Sequence, residues 1–170
     1  DFEEQEDAAA PFRSIADYFR ADAGAKLPRA AGLPKGCASM EDVIASTIAG
    51  EVGMPITWST MIQAGLPAGN MQTFATLLDS FQFEEEIGNS LVVKEPVGVV
   101  GAITPWNYPL HQIICKVGGA LAAGCTIVLK PSEVTPISGE MIRELFAEID
   151  LPEGLVQVIQ GDGATGAALC

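Results

Sequence analysis

The chain is poor in the groups that metal and nucleic-acid chemistry require. It holds one histidine, His111, and four cysteines, Cys37, Cys115, Cys125 and Cys170, with no CxxC pair and no metal-ligand spacing. No metal site is expected, and a histidine-based relay has little to draw on. Cys115 and Cys125 lie in apolar stretches and read as reduced, buried packing residues. No cysteine has an evident activating neighbour in the sequence, as a nucleophilic thiol would need. Basic residues number 9 against 22 acidic ones, for a formal charge of −13. That balance lacks the basic footprint of a DNA or RNA binder and disfavours an anionic membrane surface. No apolar run reaches the length of a membrane span. The start, Asp1-Phe-Glu-Glu-Gln-Glu-Asp7, has neither the positive head nor the apolar middle of a signal peptide. A soluble, cytoplasmic protein is the expectation. A P-loop lysine pattern and an elbow serine are also missing, which removes support for phosphate or acyl transfer.

What is present is enough apolar residue, 48% of 170, for one domain or part of a larger one. Residues 1–38 stand apart, dominated by Ala, Pro, Gly, Arg and Asp. A short helix is expected at Pro11 to Phe19. The breakers Gly24, Pro28, Gly32, Pro34 and Gly36 then impose loop or poorly ordered chain. Ser39 to Val52 reads as a helix, with Ser39 and Asp42 as a capping-box variant. Ser59 to Phe83 carries Phe74, Leu77, Leu78 and Phe81 at helical spacing, with Pro67 as the point of kink or interruption. Glu84 to Glu86 reads as a solvated exit. Ser90 to Lys94 is a short strand within an arm at 88–95.

From Val97 the grammar changes to alternating strand and helix. Strands are expected at Val97–Ile103, Thr126–Leu129 and Leu155–Ile159, and helices at Pro105–Ala122, Pro136–Ile149 and from Gly161. Apolar strands without polar alternation, separated by helices, mean a parallel sheet covered on both faces. The fold class is therefore α/β, a partial doubly wound, Rossmann-like sheet over residues 97–160 preceded by helices over 39–83.

Polar groups in this unit gather where strands end, and ligands bind there in open parallel sheets. Asn107 follows the first strand. Its amide is either a donor for an oxyanion forming on a carbonyl carbon or an ordinary helix cap. Lys130 and Glu133 follow the second strand. They suit the ribose hydroxyls of a dinucleotide, although Ser132 or Glu133 could equally cap the next helix. Gly161-Asp-Gly-Ala-Thr-Gly166 matches G-x-G-x-x-G after a strand and before a helix. A phosphate-binding turn and a plain strand-to-helix turn both fit it.

Taken together, Ile103-Thr-Pro-Trp-Asn-Tyr-Pro109, Ala122-Ala-Gly-Cys-Thr-Ile-Val-Leu-Lys-Pro-Ser-Glu133 and Gly161-Asp-Gly resemble the NAD(P)-dependent aldehyde dehydrogenases. The resemblance runs from about Ile44 to Leu169 and includes Glu95-Pro-Val-Gly-Val-Val-Gly101. It implies oxidation of a small-molecule aldehyde to a carboxylic acid, with an active-site cysteine forming a thiohemiacetal. A hydride then passes to nicotinamide, and a glutamate helps water release the acid. On the same resemblance, Asn107 is the oxyanion-stabilising amide, and Ile103, Thr104, Pro105 and Trp106 line the cofactor cleft. Lys130 and Glu133 hold the adenosine ribose, Pro131 and Ser132 shape that edge, and Gly163 and Gly166 lie at the adenine-side turn and helix. Glu133 leans the cofactor towards NAD over NADP, since a 2′-phosphate would meet like charge. The 88–95 arm resembles the strand through which family members form homo-oligomers. The family's nucleophilic cysteine and general-base glutamate lie downstream of the glycine turn, beyond Cys170. An N-terminal, cofactor-binding fragment without turnover of its own is expected, from a truncated or frame-altered coding sequence. A non-catalytic nucleotide-binding or oligomerising remnant is the rival reading.

Overall fold

The computed structural model describes Arg13, residues 39–149 and residues 151–170. Apart from Arg13, the expected helix at 11–19 and the loop to Cys37 lie outside the described residues.

Helix α1 (Met40–Val52) begins on the expected capping box. Ser39 Oγ accepts from the Asp42 amide, and the Asp42 carboxylate accepts from the Ser39 amide, so two orphan donors are satisfied reciprocally. Gly53 closes the helix at φ 72°, a left-handed conformation that glycine adopts without a Cβ penalty. A single turn, α2 (Ile56–Trp58), leads into a π-helical stretch, Ser59–Gly65, and then α3 (Leu66–Leu78).

Proline explains the π-helical stretch. In a regular helix Pro67 would leave the Gln63 carbonyl without a donor and press its ring against it. The wider turn instead bonds the Leu66 amide to Met61 O, five residues back, and Pro67 enters the first turn of α3 where no donor is needed. The interruption expected at Pro67 is therefore a π-helical turn just ahead of it. The apolar stripe also needs correction. Pro67, Ala68, Met71 and Ala75 are buried, while Leu77 is 49% exposed and Phe81 lies beyond the helix.

Strands β1 (Glu84–Ile87) and β2 (Ser90–Val93) form an antiparallel hairpin with Glu84 opposite Val93 and Ile87 opposite Ser90. Gly88 turns it with φ 63°. The acidic run at 84–86 is thus a strand, hidden from a pattern reading because every residue of the hairpin is exposed and no face alternates.

The parallel sheet has the order β3 (Val99–Ile103), β4 (Thr126–Lys130), β5 (Val156–Val158). Helix α4 (Pro109–Ala122) joins the first pair and α5 (Pro136–Glu148) the second; α6 (Gly163–Leu169) follows β5. Ile113, Ile114 and Val117 of α4, Ile127 and Leu129 of β4, and Ile142 and Leu145 of α5 form one core with Met40, Ile44 and Ile48 of α1. Full coverage of both sheet faces is not found. Val97 is 85% exposed and Val99 71%: along β3 the residues Val99, Gly101 and Ile103 of one face are exposed, so that face is left open among the described residues. Cys125 is buried as expected, but Cys115 is on the exposed face of α4. Among the described residues no helix is long and apolar enough to cross a membrane, and no cluster of three metal-ligating side chains occurs.

Candidate functional site

The carboxyl ends of β3 and β4 are flush. Ile103 pairs with Lys130, and the Thr104 amide donates to Lys130 O at 3.1 Å, extending the ladder one residue past β3. Residues 103–107 and 130–133 therefore issue side by side from one edge of the sheet.

The expected helix start at Pro105 moves to Pro109. Tyr108, preceding a proline, sits at φ −135° and ψ 64°, outside helical space. Pro105 to Tyr108 form a turn, with Trp106 48% exposed. Asn107 is exposed in this turn and does not cap α4: the N-cap is Tyr108, with no side-chain cap bond. The capping alternative for Asn107 is thereby removed. Its side-chain amide is available to a ligand, next to a helix N-terminus that favours negative charge. Thr104 is 3% exposed, and its hydroxyl oxygen finds no hydrogen-bond partner among the described residues.

Across from this turn, the Lys130 side chain is buried along its length, and its ammonium meets Glu133, Nζ to Oε2 3.1 Å. Glu133 remains about half exposed. Its own backbone amide, followed by the Lys130 ammonium, holds the Glu133 carboxyl below the ordinary value of 4.5, while Asp162 pushes weakly the other way.

Neither Ser132 nor Glu133 caps α5. Ser132 Oγ accepts from the Val134 amide at 3.2 Å, bracing the loop internally. The cap arrives from elsewhere in the chain. Glu51, at the end of α1, accepts from the Ile137 amide at 2.7 Å, from the Ser138 amide at 3.0 Å and from the Ser138 hydroxyl. Gly139 lets this helix lie close: a Cβ there would stand 2.8 Å from the Pro131 ring. At the glycine turn, Gly161 packs beneath Thr165, Gly163 opens α6 and Gly166 is buried 3.6 Å from Ile103 Cδ1 as measured from an added Cβ. The first amides of α6, Ala164 and Thr165, are engaged by the Asp162 carboxylate.

Sequence reasoning missed three residues here. Gln63 reaches the Asn107 carbonyl from the π-helical turn. Glu51 had no local signal. Gly139 carried one, since an isolated glycine inside a helix usually marks close packing. Cys115 also has a neighbour that the linear reading did not expect: its sulfur lies 3.8 Å from His111 Nε2.

The sheet edge thus carries an exposed asparagine amide on one strand end and a lysine–glutamate pair on the next, and comparison with known proteins gives the chain a family. The profile of the aldehyde dehydrogenase family matches residues 6–170. The chain belongs to that family. The match takes in residues 6–38, whose composition carried no family pattern of its own. A 3-succinoylsemialdehyde-pyridine dehydrogenase of a Pseudomonas species is 46% identical over 130 residues, 75% of this chain and 27% of that protein. A putative aldehyde dehydrogenase of Staphylococcus haemolyticus is 40% identical over 72% of this chain and 26% of its own length. The chain thus spans about a quarter of the length of these curated relatives. Among solved structures, the aldehyde dehydrogenase of Mycobacterium tuberculosis complexed with NAD+ superimposes with a TM-score of 0.77 at 35% identity, covering 95% of this chain and 31% of that one. The Bartonella henselae aldehyde dehydrogenase gives 0.79 at 31% identity over 99% of this chain and 33% of its own. The fold is accordingly α/β and aldehyde dehydrogenase-like.

Proposed function

We propose that this chain supplies the cofactor-binding side of an NAD(P)-dependent oxidation of an aldehyde to a carboxylic acid. The observation that carries the reading is the Lys130–Glu133 pair at the end of β4, one strand away from the Asn107 turn. The residues suit a dinucleotide. An ammonium held by its buried stem donates to one ribose hydroxyl, and an ionised, half-exposed carboxylate accepts from another. Ser132 and Pro131 hold that loop in shape, and the Ile103–Trp106 segment with Pro105 forms the adjoining wall. Gly163 and Gly166 lie on α6 at the adenine side, with Gly166 buried against Ile103 of β3. The ionised Glu133 favours NAD, because it would repel a 2′-phosphate. When bound, the nicotinamide is the hydride acceptor.

Asn107 acts on the substrate. A thiolate adding to an aldehyde carbon pushes charge onto the carbonyl oxygen, and an amide donor already aimed there stabilises it at no further reorganisation. The thiolate and the water-activating glutamate are expected from the part of a family member beyond this chain. Calorimetric titration with NAD tests the cofactor half: binding should weaken in both Lys130→Ala and Glu133→Ala, and unchanged affinity in both variants would refute the assignment.

A second reading, an oligomerising module, draws on the β1–β2 hairpin. Leu91 and Val93 on one face and Ile87 on the other are all about half exposed, apolar groups on a strand pair in which every residue is exposed. Sedimentation of the chain with and without residues 84–93 separates the two readings, since only the second loses its activity on deletion.

A further inference from the structure

The side chain of Asn107 is exposed and makes no cap, so nothing among the described residues that bonds to the amide itself aims it. Its direction must come from the backbone that carries it. That backbone is not held by the helix. The first helical bond of α4 runs from the Gln112 amide to Tyr108 O, leaving the Asn107 carbonyl one residue outside the ladder. A carbonyl there needs another donor.

Gln63 provides it. Its Nε2 lies 3.1 Å from Asn107 O, with the sulfur of Met54 at 3.7 Å as a weak second acceptor. The Gln63 side chain is 0% exposed, and its Oε1 is buried without a partner among the described residues. This fixes the amide orientation, because the flipped form would set two oxygens against each other. It also means that the chain carries an unsatisfied buried acceptor at this point, a cost that an apolar residue of similar size would avoid. Gln63 is held in turn by its element. The π-helical turn forced by Pro67 begins at Ser59, whose hydroxyl donates to Ala45 O of α1 at 2.7 Å. Turns of this kind recur at functional sites, where they displace one side chain from its regular position.

We infer that Gln63 is a positioning residue for Asn107: from the π-helical turn it clamps the Asn107 carbonyl and so sets the direction of the exposed amide that meets the substrate oxygen. The inference rests on the oxyanion reading of Asn107, and its test separates the two. In the intact dehydrogenase polypeptide carrying this segment, Asn107→Ala should lower kcat about 100-fold, as loss of one oxyanion donor does. Gln63→Leu, similar in volume but without the donor, should lower kcat about tenfold while leaving the KM for NAD unchanged, because small misplacements at a reacting centre are costly and the ribose edge is untouched. In the Asn107→Ala background, Gln63→Leu should lower kcat no further. A lowered kcat in Asn107→Ala with an unchanged one in Gln63→Leu overturns the positioning role alone, as do losses that multiply in the double variant. An unchanged kcat in Asn107→Ala overturns the oxyanion reading and the inference with it. Should Gln63→Leu fail to fold, the wild-type protein decides. The Gln63 side-chain amide protons should exchange with D2O far more slowly than those of Asn107, and equal rates would refute the clamp.

Discussion

Glu51 and Ser138 stand 87 positions apart, yet the carboxylate of one closes the first turn of the helix that carries the other. Thr135, at the N-cap of α5, makes no side-chain bond to the helix. The loop bearing Glu133 is therefore fixed at one end by the β4 ladder and at the other by a residue of α1. Glu51→Ala removes the acceptor of two backbone amides and a hydroxyl. A loss of about 1–2 kcal/mol, the size of a helix cap, is expected in denaturant unfolding. Glu51→Gln should recover part of it, because the amide oxygen still accepts.

Acidification should weaken cofactor binding in a defined window. The Glu133 carboxyl is depressed below 4.5 in the folded chain by its own backbone amide first and by Lys130 second. Glu133 accepts from a ribose hydroxyl with its full strength only while ionised, and a lowered value keeps it ionised to lower pH. NAD affinity should therefore stay level through neutral pH and decline only below 4.5, measured by titration at fixed ionic strength. In Lys130→Met, which keeps the apolar stem, carbon-detected NMR should find Glu133 titrating higher than in wild type. It should still lie short of the ordinary value, since the backbone amide remains.

Two glycines make contrasting predictions. A methyl group at Gly118, in the middle of α4, would overlap the ring of Phe74 on α3. Gly118→Ala should cost about 1–3 kcal/mol as an overpacking change, with NAD binding retained in the folded fraction. Gly139→Ala would press on the Pro131 ring and on Gln160. Its effect should fall on the ribose edge, so NAD affinity should drop at temperatures where far-ultraviolet circular dichroism shows the chain folded.

The polypeptide of residues 1–170, produced as such, should generate no sustained NADH from an aldehyde. Steady NADH fluorescence that disappears in Asn107→Ala would contradict the expectation that the nucleophile lies outside it.

The alternating half of the chain was legible because its strands and helices are closed by their own punctuation. Gly98 and Gly124, both with positive φ, bound β3 and β4, and Pro109 and Pro136 open the two crossover helices. Asn107, Lys130 and Glu133 could be singled out because they are the polar residues at otherwise apolar strand ends. Helix α4 was read four residues too early, since two prolines flank the turn and composition does not say which one starts the helix. The second strand of the hairpin was expected at Ser90, but its partner Glu84–Ile87 and the π-helical turn escaped for opposite reasons. One buries no face, so it has no period. The other is set by a tertiary demand, the seating of Pro67, that a helical pattern does not record. Glu51 is the clearest limit: a cap delivered from a remote helix leaves no trace in local sequence.

The β1–β2 hairpin pairs its two strands with each other and shields none of the bonds between them. Two short strands wetted on both sides have little to hold them in shape once thermal motion opens the pair. Their amides should therefore be among the quickest of the described strands to take up deuterium. If another surface ever rests on Leu91 and Val93, that exchange should slow before any other part of the chain responds. The hairpin is thus a built-in gauge of association, readable without a ligand, a substrate or a functioning active site.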